Sequence, residues 1–186
     1  MQPAPDQGPA SVLAASHRQI ETALETMRAL AKASAGGALA DERTFKACLW
    51  FCRHIITEHS VAEEELVFPA LRRAAVSGAA NPRRLLDTLE EEHGCADRAH
   101  LEADRLGEAW LKDRALTLGE TTRLIEVLDG LADLYTRHIA LEETQVFPLL
   151  ETGLAGPELE QLGAELTRRR LLVRDSAALL WKPEPS

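Results

Sequence analysis

The sequence predicts an all-α fold: an antiparallel up-down four-helix bundle with an additional C-terminal helix. Three observations point there. Aromatic residues are scarce, at 4%, while Ala, Leu and Glu abound, a composition that favours helices over sheets. Apolar residues recur at helical spacing along most of the chain, and no stretch shows a convincing strand alternation. Short connections marked by Gly and Pro separate the amphipathic segments, which favours antiparallel neighbours.

Each element has its own start and stop signals. Residues 1–10, MQPAPDQGPA, read as a disordered tail. Ser11 is a candidate cap for the first helix, whose apolar stripe is Leu13, Ile20, Leu24, Met27 and Leu30. Ala35-Gly36-Gly37 stops it. Asp41 caps a second helix through Phe45, Leu49, Cys52 and Ile56, and Pro69 is expected to kink or end it. Residues 77–82 form a loop, and Pro82 opens a third helix that runs to about Trp110. Thr117 and Glu120 make a capping box for a fourth helix through Leu124, Leu128, Leu131, Tyr135 and His138. Pro148 bends or closes it. Pro157 starts a more charged fifth helix to about Leu180, and residues 182–186 read as a loose tail. The expected organisation is therefore a bundle domain over residues 11–152 and an additional helix over 153–181.

Composition excludes several function classes. A net charge of -9 disfavours nucleic acid and anionic membranes as partners. No apolar run is long enough to span a bilayer, and the N-terminus lacks the basic start and apolar stretch of a secretory signal. Three cysteines, Cys48, Cys52 and Cys95, do not suggest a disulfide framework, so a reducing cytoplasm is the expected setting.

The most informative feature is a repeat. HSVAEEELVFPAL at 59–71 and HIALEETQVFPLL at 138–150 both read His-x3-Glu-Glu-x2-Val-Phe-Pro-x-Leu, at a constant offset of 79. The other pair of helices matches more weakly. His17 and His93 are offset by 76, with Leu13 matching Leu89, Glu21 matching Asp97 and Leu30 matching Leu106. Each half supplies one His, a loop, then His-x3-Glu.

Spacing turns the repeat into chemistry. Residues four apart share a helix face, so His59 and Glu63 can reach one point, as can His138 and Glu142. In an antiparallel bundle His17 and His93 can join them at the same level. Burying two carboxylates without positive partners costs several kcal/mol, roughly. Two divalent or trivalent metal ions would offset that cost. Mixed nitrogen and oxygen ligation suits iron, with manganese and zinc as alternatives. The two carboxylates can bridge the metals and leave positions open for a small ligand.

With these motifs the chain resembles the hemerythrin-like, or HHE cation-binding, family over about residues 11–150. The resemblance implies an antiparallel four-helix bundle enclosing a non-haem di-iron site. Carried over by position, the ligands are His17, His59, Glu63, His93, His138 and Glu142, with Glu63 and Glu142 bridging. The implied cofactor is two iron ions, carboxylate-bridged with room for an oxo bridge. One departure is informative. The oxygen-carrying members place a second His four after the first on the third helix and a bridging Asp five after the His on the fourth. Here those helices offer Asp97 and Glu142. The four-His, two-Glu set is similar to the branch that includes bacterial iron–sulfur repair proteins of the nitrosative stress response. Those proteins carry an N-terminal cysteine pair that this sequence lacks.

Other polar residues compete for roles. His54 is offset from Asp133 rather than from a His, and five residues turn it roughly 140° from His59, so it reads as surface or packing. His100, two turns after His93 on a similar face, reads as an outer partner of the metal layer or as structural. Glu21 and Asp97 are placed either to orient ligand histidines or as surface charge. Tyr135 either packs with a satisfied hydroxyl or lines the pocket. Cys48 and Cys52 read as small buried apolar groups rather than a redox pair. A ferritin-like Glu-x2-His motif fails because Glu90/His93 has no second copy. Phe68 and Phe147 are expected to close the bundle end.

Two functions remain open at this point. One is a di-iron protein that binds or reacts with oxygen, nitric oxide or peroxide in an oxidative or nitrosative stress response, with turnover undecided. The other is an iron- or oxygen-sensing module without turnover. The fifth helix, with Arg168-Arg169-Arg170 amid leucines, packs on its own bundle or builds a dimer or partner interface.

Overall fold

In a computed structural model, residues 8–35, 37–76 and 82–180 are described, and every regular element among them is helical. The expected tails at 1–7 and 181–186, Gly36 and the loop residues 77–81 lie outside the described residues. Five helical runs follow one another. The first, α1, is Pro9–Ala33. The second, α2, joins Glu42–Phe51, Thr57–Ala62 and Phe68–Val76 through π-helical segments at Cys52–Ile56 and Glu63–Val67. The third, α3, is Arg83–Asp113. The fourth, α4, joins Leu118–Leu141 and Phe147–Gly153 through a π-helical segment at Glu142–Val146. The fifth, α5, is Gly156–Leu180.

Local chemistry sets most of these limits. Asp41 accepts a hydrogen bond from the Thr44 amide at 3.0 Å, as its capping role requires. Thr117 and Glu120 form the reciprocal capping box. The first helix differs from expectation. It starts at Pro9, whose missing amide hydrogen suits the first turn, and Gly8 rather than Ser11 stands at the cap position. The third helix runs past Trp110 and stops at Arg114, which takes the left-handed conformation with φ 61.

Neither Pro69 nor Pro148 ends its helix. Each is the second residue of the α-helix that follows a π-helical segment, Glu63–Val67 or Glu142–Val146, and the chain continues as α-helix beyond. The wider turn removes the need for an i→i−4 hydrogen bond at the proline and relieves its clash with the preceding turn.

Two apolar clusters hold the helices together. One contains Ile20, Met27, Phe45, Leu49, Trp110 and Leu128, and the other contains Leu13, Phe68, Leu86, Leu150, Leu162 and Leu166. The second cluster includes two leucines of α5, so the fifth helix packs on its own bundle. Gly107 permits the close approach of α3 to α2: a Cβ there would stand 3.0 Å from Leu49. Trp110 donates its indole N–H to the Gly37 carbonyl at 3.1 Å and ties down the turn after α1. Polar contacts fix the remaining registers. Lys32 meets Asp129 at 2.9 Å, Arg72 meets Glu90 at 2.8 Å, and Arg123 meets Glu102 at 2.7 Å. No helix of the described residues is long and apolar enough to cross a membrane.

Candidate metal centre

Between the two apolar clusters lies a buried polar layer. It contains all six residues nominated from the sequence: His17 from α1, His59 and Glu63 from α2, His93 from α3, and His138 and Glu142 from α4. None is more than 9% exposed, and Glu63 and His17 are at 0%. The layer sorts into two overlapping groups. Ligand atoms of His17, His59, Glu63 and Glu142 lie within 4.8 Å of one another, and so do those of Glu63, His93 and His138. Glu63 belongs to both.

The carboxylate oxygens divide between the groups. Glu63 Oε1 is 3.1 Å from His59 Nε2, while its Oε2 is 3.4 Å from His93 Nε2. Glu142 Oε2 is 3.0 Å from His17 Nε2, while its Oε1 is 3.6 Å from His138 Nε2. Each carboxylate therefore spans the two histidine pairs. The pairs follow the repeat: His17 with His59 from the first half, His93 with His138 from the second.

The electrostatics of the layer suit cations. His17 Nε2, both oxygens of Glu63 and Glu142 Oε2 are buried without an aligned hydrogen-bond partner. Such atoms cost free energy unless something else satisfies them. Burial and then the Glu142 charge push the Glu63 carboxyl up. Burial alone would lower His93, yet Glu63 and Glu64 hold it up at about 9. Burial and the neighbouring His17 push His59 down to about 3. Burial alone would lower His17 too, yet Glu142 holds it above its ordinary value. A proton on His93 thus stands in for missing positive charge, while His59 stays neutral with a lone pair to give. The Nε2 atoms of His93 and His138 face each other at 3.1 Å. Two nitrogens on one cation, each at about 2.1 Å and at right angles, stand about 3.0 Å apart. The donor set, the orphaned atoms and this spacing all fit metal ions.

The second glutamate of each motif orients a histidine from the other half. Glu64 accepts a hydrogen bond from His93 Nδ1 at 2.8 Å, and Glu143 accepts from His17 Nδ1 at 3.0 Å. The motif phenylalanines follow the same exchange. Phe68 stacks on His93 and Phe147 stacks on His17, at interplanar angles of 9° and 11°. Each motif thus sends its first Glu into the layer and clamps the lone histidine of the opposite half with its second Glu and its Phe. Glu92 does the same service for His138 Nδ1 at 2.9 Å. Such carboxylate–histidine contacts fix the tautomer that leaves Nε2 free to ligate. His59 borders a small cavity of about 40 Å³ under α5 instead.

Sequence reasoning missed Glu64, Glu143 and Glu92. The available signal for two of them was the Glu-Glu doublet written in both motifs. Glu21, by contrast, ion-pairs with Arg18 at the surface at 2.9 Å. Asp97 is exposed and lines a cavity away from the layer. His54 is exposed and lies tilted against Trp50, with ring centroids 4.7 Å apart and planes at 42°. His100 Nε2 lies 3.0 Å from the Tyr135 hydroxyl, which gives both side chains a partner. The Tyr135 ring packs edge-on to His138. Cys52 is buried with its thiol 3.6 Å from Met27 Sδ, and burial pushes its pKa up to about 12, so it behaves as an apolar filler.

A buried His/Glu layer inside an all-helical bundle defines a cation-binding helical protein. Residues 8–150 match the hemerythrin HHE cation binding domain. The chain belongs to that family, and α5 lies beyond the matched region. Comparison with curated proteins finds no match, and comparison with solved structures finds none.

Proposed function

We propose that the chain is a non-haem di-iron protein that binds or reacts with oxygen, nitric oxide or peroxide. His17, His59, Glu63, His93, His138 and Glu142 are its metal ligands. One observation carries the reading: Glu63 and Glu142 each divide their two oxygens between the His17/His59 pair and the His93/His138 pair. Two cations, one per histidine pair, would share both carboxylates. Iron suits this mixed nitrogen and oxygen set, with manganese and zinc as alternatives. Iron would supply the redox chemistry and the open positions for a diatomic or peroxide ligand. The protein's own part is to hold three of the four imidazoles, His17, His93 and His138, by their outer nitrogens and to keep the layer dry between two apolar clusters.

The scaffold reading is an antiparallel up-down bundle over residues 11–152 with an additional helix over 153–181. It is supported by contacts in which residue numbers rise along one helix and fall along its neighbour. Examples are His17–Glu142 with Lys32–Asp129, and Arg53–Asp104 with Arg72–Glu90. A cytoplasmic setting in an oxidative or nitrosative stress response fits the free cysteines and the redox ligand class.

A second reading is an iron or oxygen sensor without turnover, reporting through α5. It is favoured by Arg169, which reaches from α5 to Glu65 at 2.8 Å and Glu58 at 3.8 Å on either side of His59. Displacement of α5 would expose its apolar contacts to a second copy or another partner. Loading the metal-free protein with ferrous iron under anaerobic conditions, then adding oxygen and nitric oxide separately, tests both readings. Two irons per chain with product formation supports a reactive protein. Two irons with reversible gas binding supports the sensor. Fewer than one iron per chain refutes both.

A further inference from the structure

On the other side of Tyr135 from the metal layer, a cavity of about 300 Å³ opens between α2 and α3. Its inner wall is Leu24, Met27, Leu49 and Leu131, and its mouth is framed by Arg53, Asp97, Leu101 and Asp104. No residue of the His/Glu layer lines it.

Three features distinguish it from a packing defect. The first lies in the backbone. Two of the three π-helical segments belong to the repeat, since both begin at a motif glutamate. The third, Cys52–Ile56, has no counterpart, because the positions 79 further on lie in the regular helix Leu118–Leu141. Cys52 and Arg53 of that segment line the cavity. π-Segments inside α-helices concentrate at functional sites.

The second is size and polarity. The volume falls in the range of small-molecule sites, about 300–1,000 Å³, with the apolar lining such sites share. Leu101, at the mouth, is 72% exposed, an apolar side chain left at the entrance.

The third is charge. Arg53 is the one basic group among the lining residues, and it is already held by Asp104 at 2.9 Å and Glu108 at 2.7 Å. Asp97 then leaves the mouth net acidic, which repels anions. Burial pushes His100 down to about 4, so the imidazole on the wall is uncharged and can hydrogen-bond.

We propose that this cavity binds an uncharged, mainly aliphatic small molecule with one hydrogen-bonding end, of the size of a medium-chain alcohol. The proposal stands apart from the metal reading, because the cavity shares no residue with the layer.

The test uses the metal-loaded protein and 1-octanol as the probe, followed by titration calorimetry, with octanoate as the charged comparator. The expected result is saturable binding of one octanol per chain, with octanoate weaker by about tenfold or more. Ala103→Phe fills the cavity and is expected to weaken octanol binding by about tenfold or more. Leu101→Glu adds charge at an exposed position, so it keeps the fold even where Ala103→Phe does not. It is expected to weaken octanol binding severalfold while metal content and melting temperature stay at parental values. Non-saturable uptake of octanol overturns the proposal. So does octanoate binding as tightly as octanol, or octanol binding that Leu101→Glu leaves unchanged.

Discussion

Glu143→Ala isolates what the second motif glutamate does. Glu143 accepts from His17 Nδ1 at 3.0 Å and also contacts the Arg18 guanidinium. The substitution leaves every proposed ligand in place and removes one carboxylate from the outer nitrogen of His17. Loss of such a partner costs metal affinity about 10–100-fold, which is about 1.4–2.8 kcal/mol. The Glu143 side chain is 33% exposed, so water replaces part of the lost hydrogen bond and the expected loss is near the lower end, about tenfold. Phe147 still stacks on the His17 ring, which also limits the damage. Arg18 retains Glu21, so the surface pairing is not the cause of any loss. Competition against a chromogenic chelator measures the affinity, and circular dichroism of the metal-free protein checks the fold. Glu143→Gln should recover most of the affinity, since the amide oxygen still accepts from Nδ1. Glu21→Ala is the control and should stay at the parental value. An affinity within twofold of parent for Glu143→Ala, or a Gln variant as weak as the Ala variant, would refute the reasoning.

Other expectations follow from the same geometry. His138→Ala should remove most bound metal, whereas His54→Ala should not, as metal analysis of the purified variants will show; His54 lies exposed against Trp50. The metal-free protein should lose stability as pH rises from about 6.5 to about 9. His93 is held up at about 9, above its ordinary value of 6.5, so its contribution is fully present below 6.5 and is lost as it deprotonates. Glu63, raised by burial and by Glu142, acts in the same direction. Thermal melts across that window should show the fall without metal and a flat or rising profile with metal, since cations replace the protons. Gly107→Ala places a methyl 3.0 Å from Leu49 and 3.2 Å from Phe45, and overpacking there should cost about 1–3 kcal/mol, partly offset by about 1 kcal/mol of helix propensity. Urea unfolding of the metal-free variant reads the net destabilisation.

Local signals in the sequence carried the helices well. The caps at Asp41 and Thr117 are readable because the side chain and the amide it satisfies are three residues apart. The repeat carried the six residues that meet in the layer, because two copies of one spacing mark one shared level in the bundle. What the sequence hid depends on contacts between helices. Glu21 and Asp97 were placed one turn from His17 and His93, yet the carboxylates that hold those rings come from the neighbouring motif, as Glu143 and Glu64. The doublet was visible, but its direction across the bundle was not. The prolines were legible only in part. Pro69 and Pro148 do not end their helices, and each has a π-helical segment just before it that no pattern in the sequence announced. The cavity beside Cys52–Ile56 has no sequence signature, because it is a gap between α2 and α3 rather than a pattern within either.

The shared carboxylates of Glu63 and Glu142 are the central claim, and X-ray absorption on the iron-loaded protein tests it most directly. Two irons per chain with a metal–metal scattering shell within about 4 Å is the expected result. Two irons without that shell, or a single iron per chain, would contradict it.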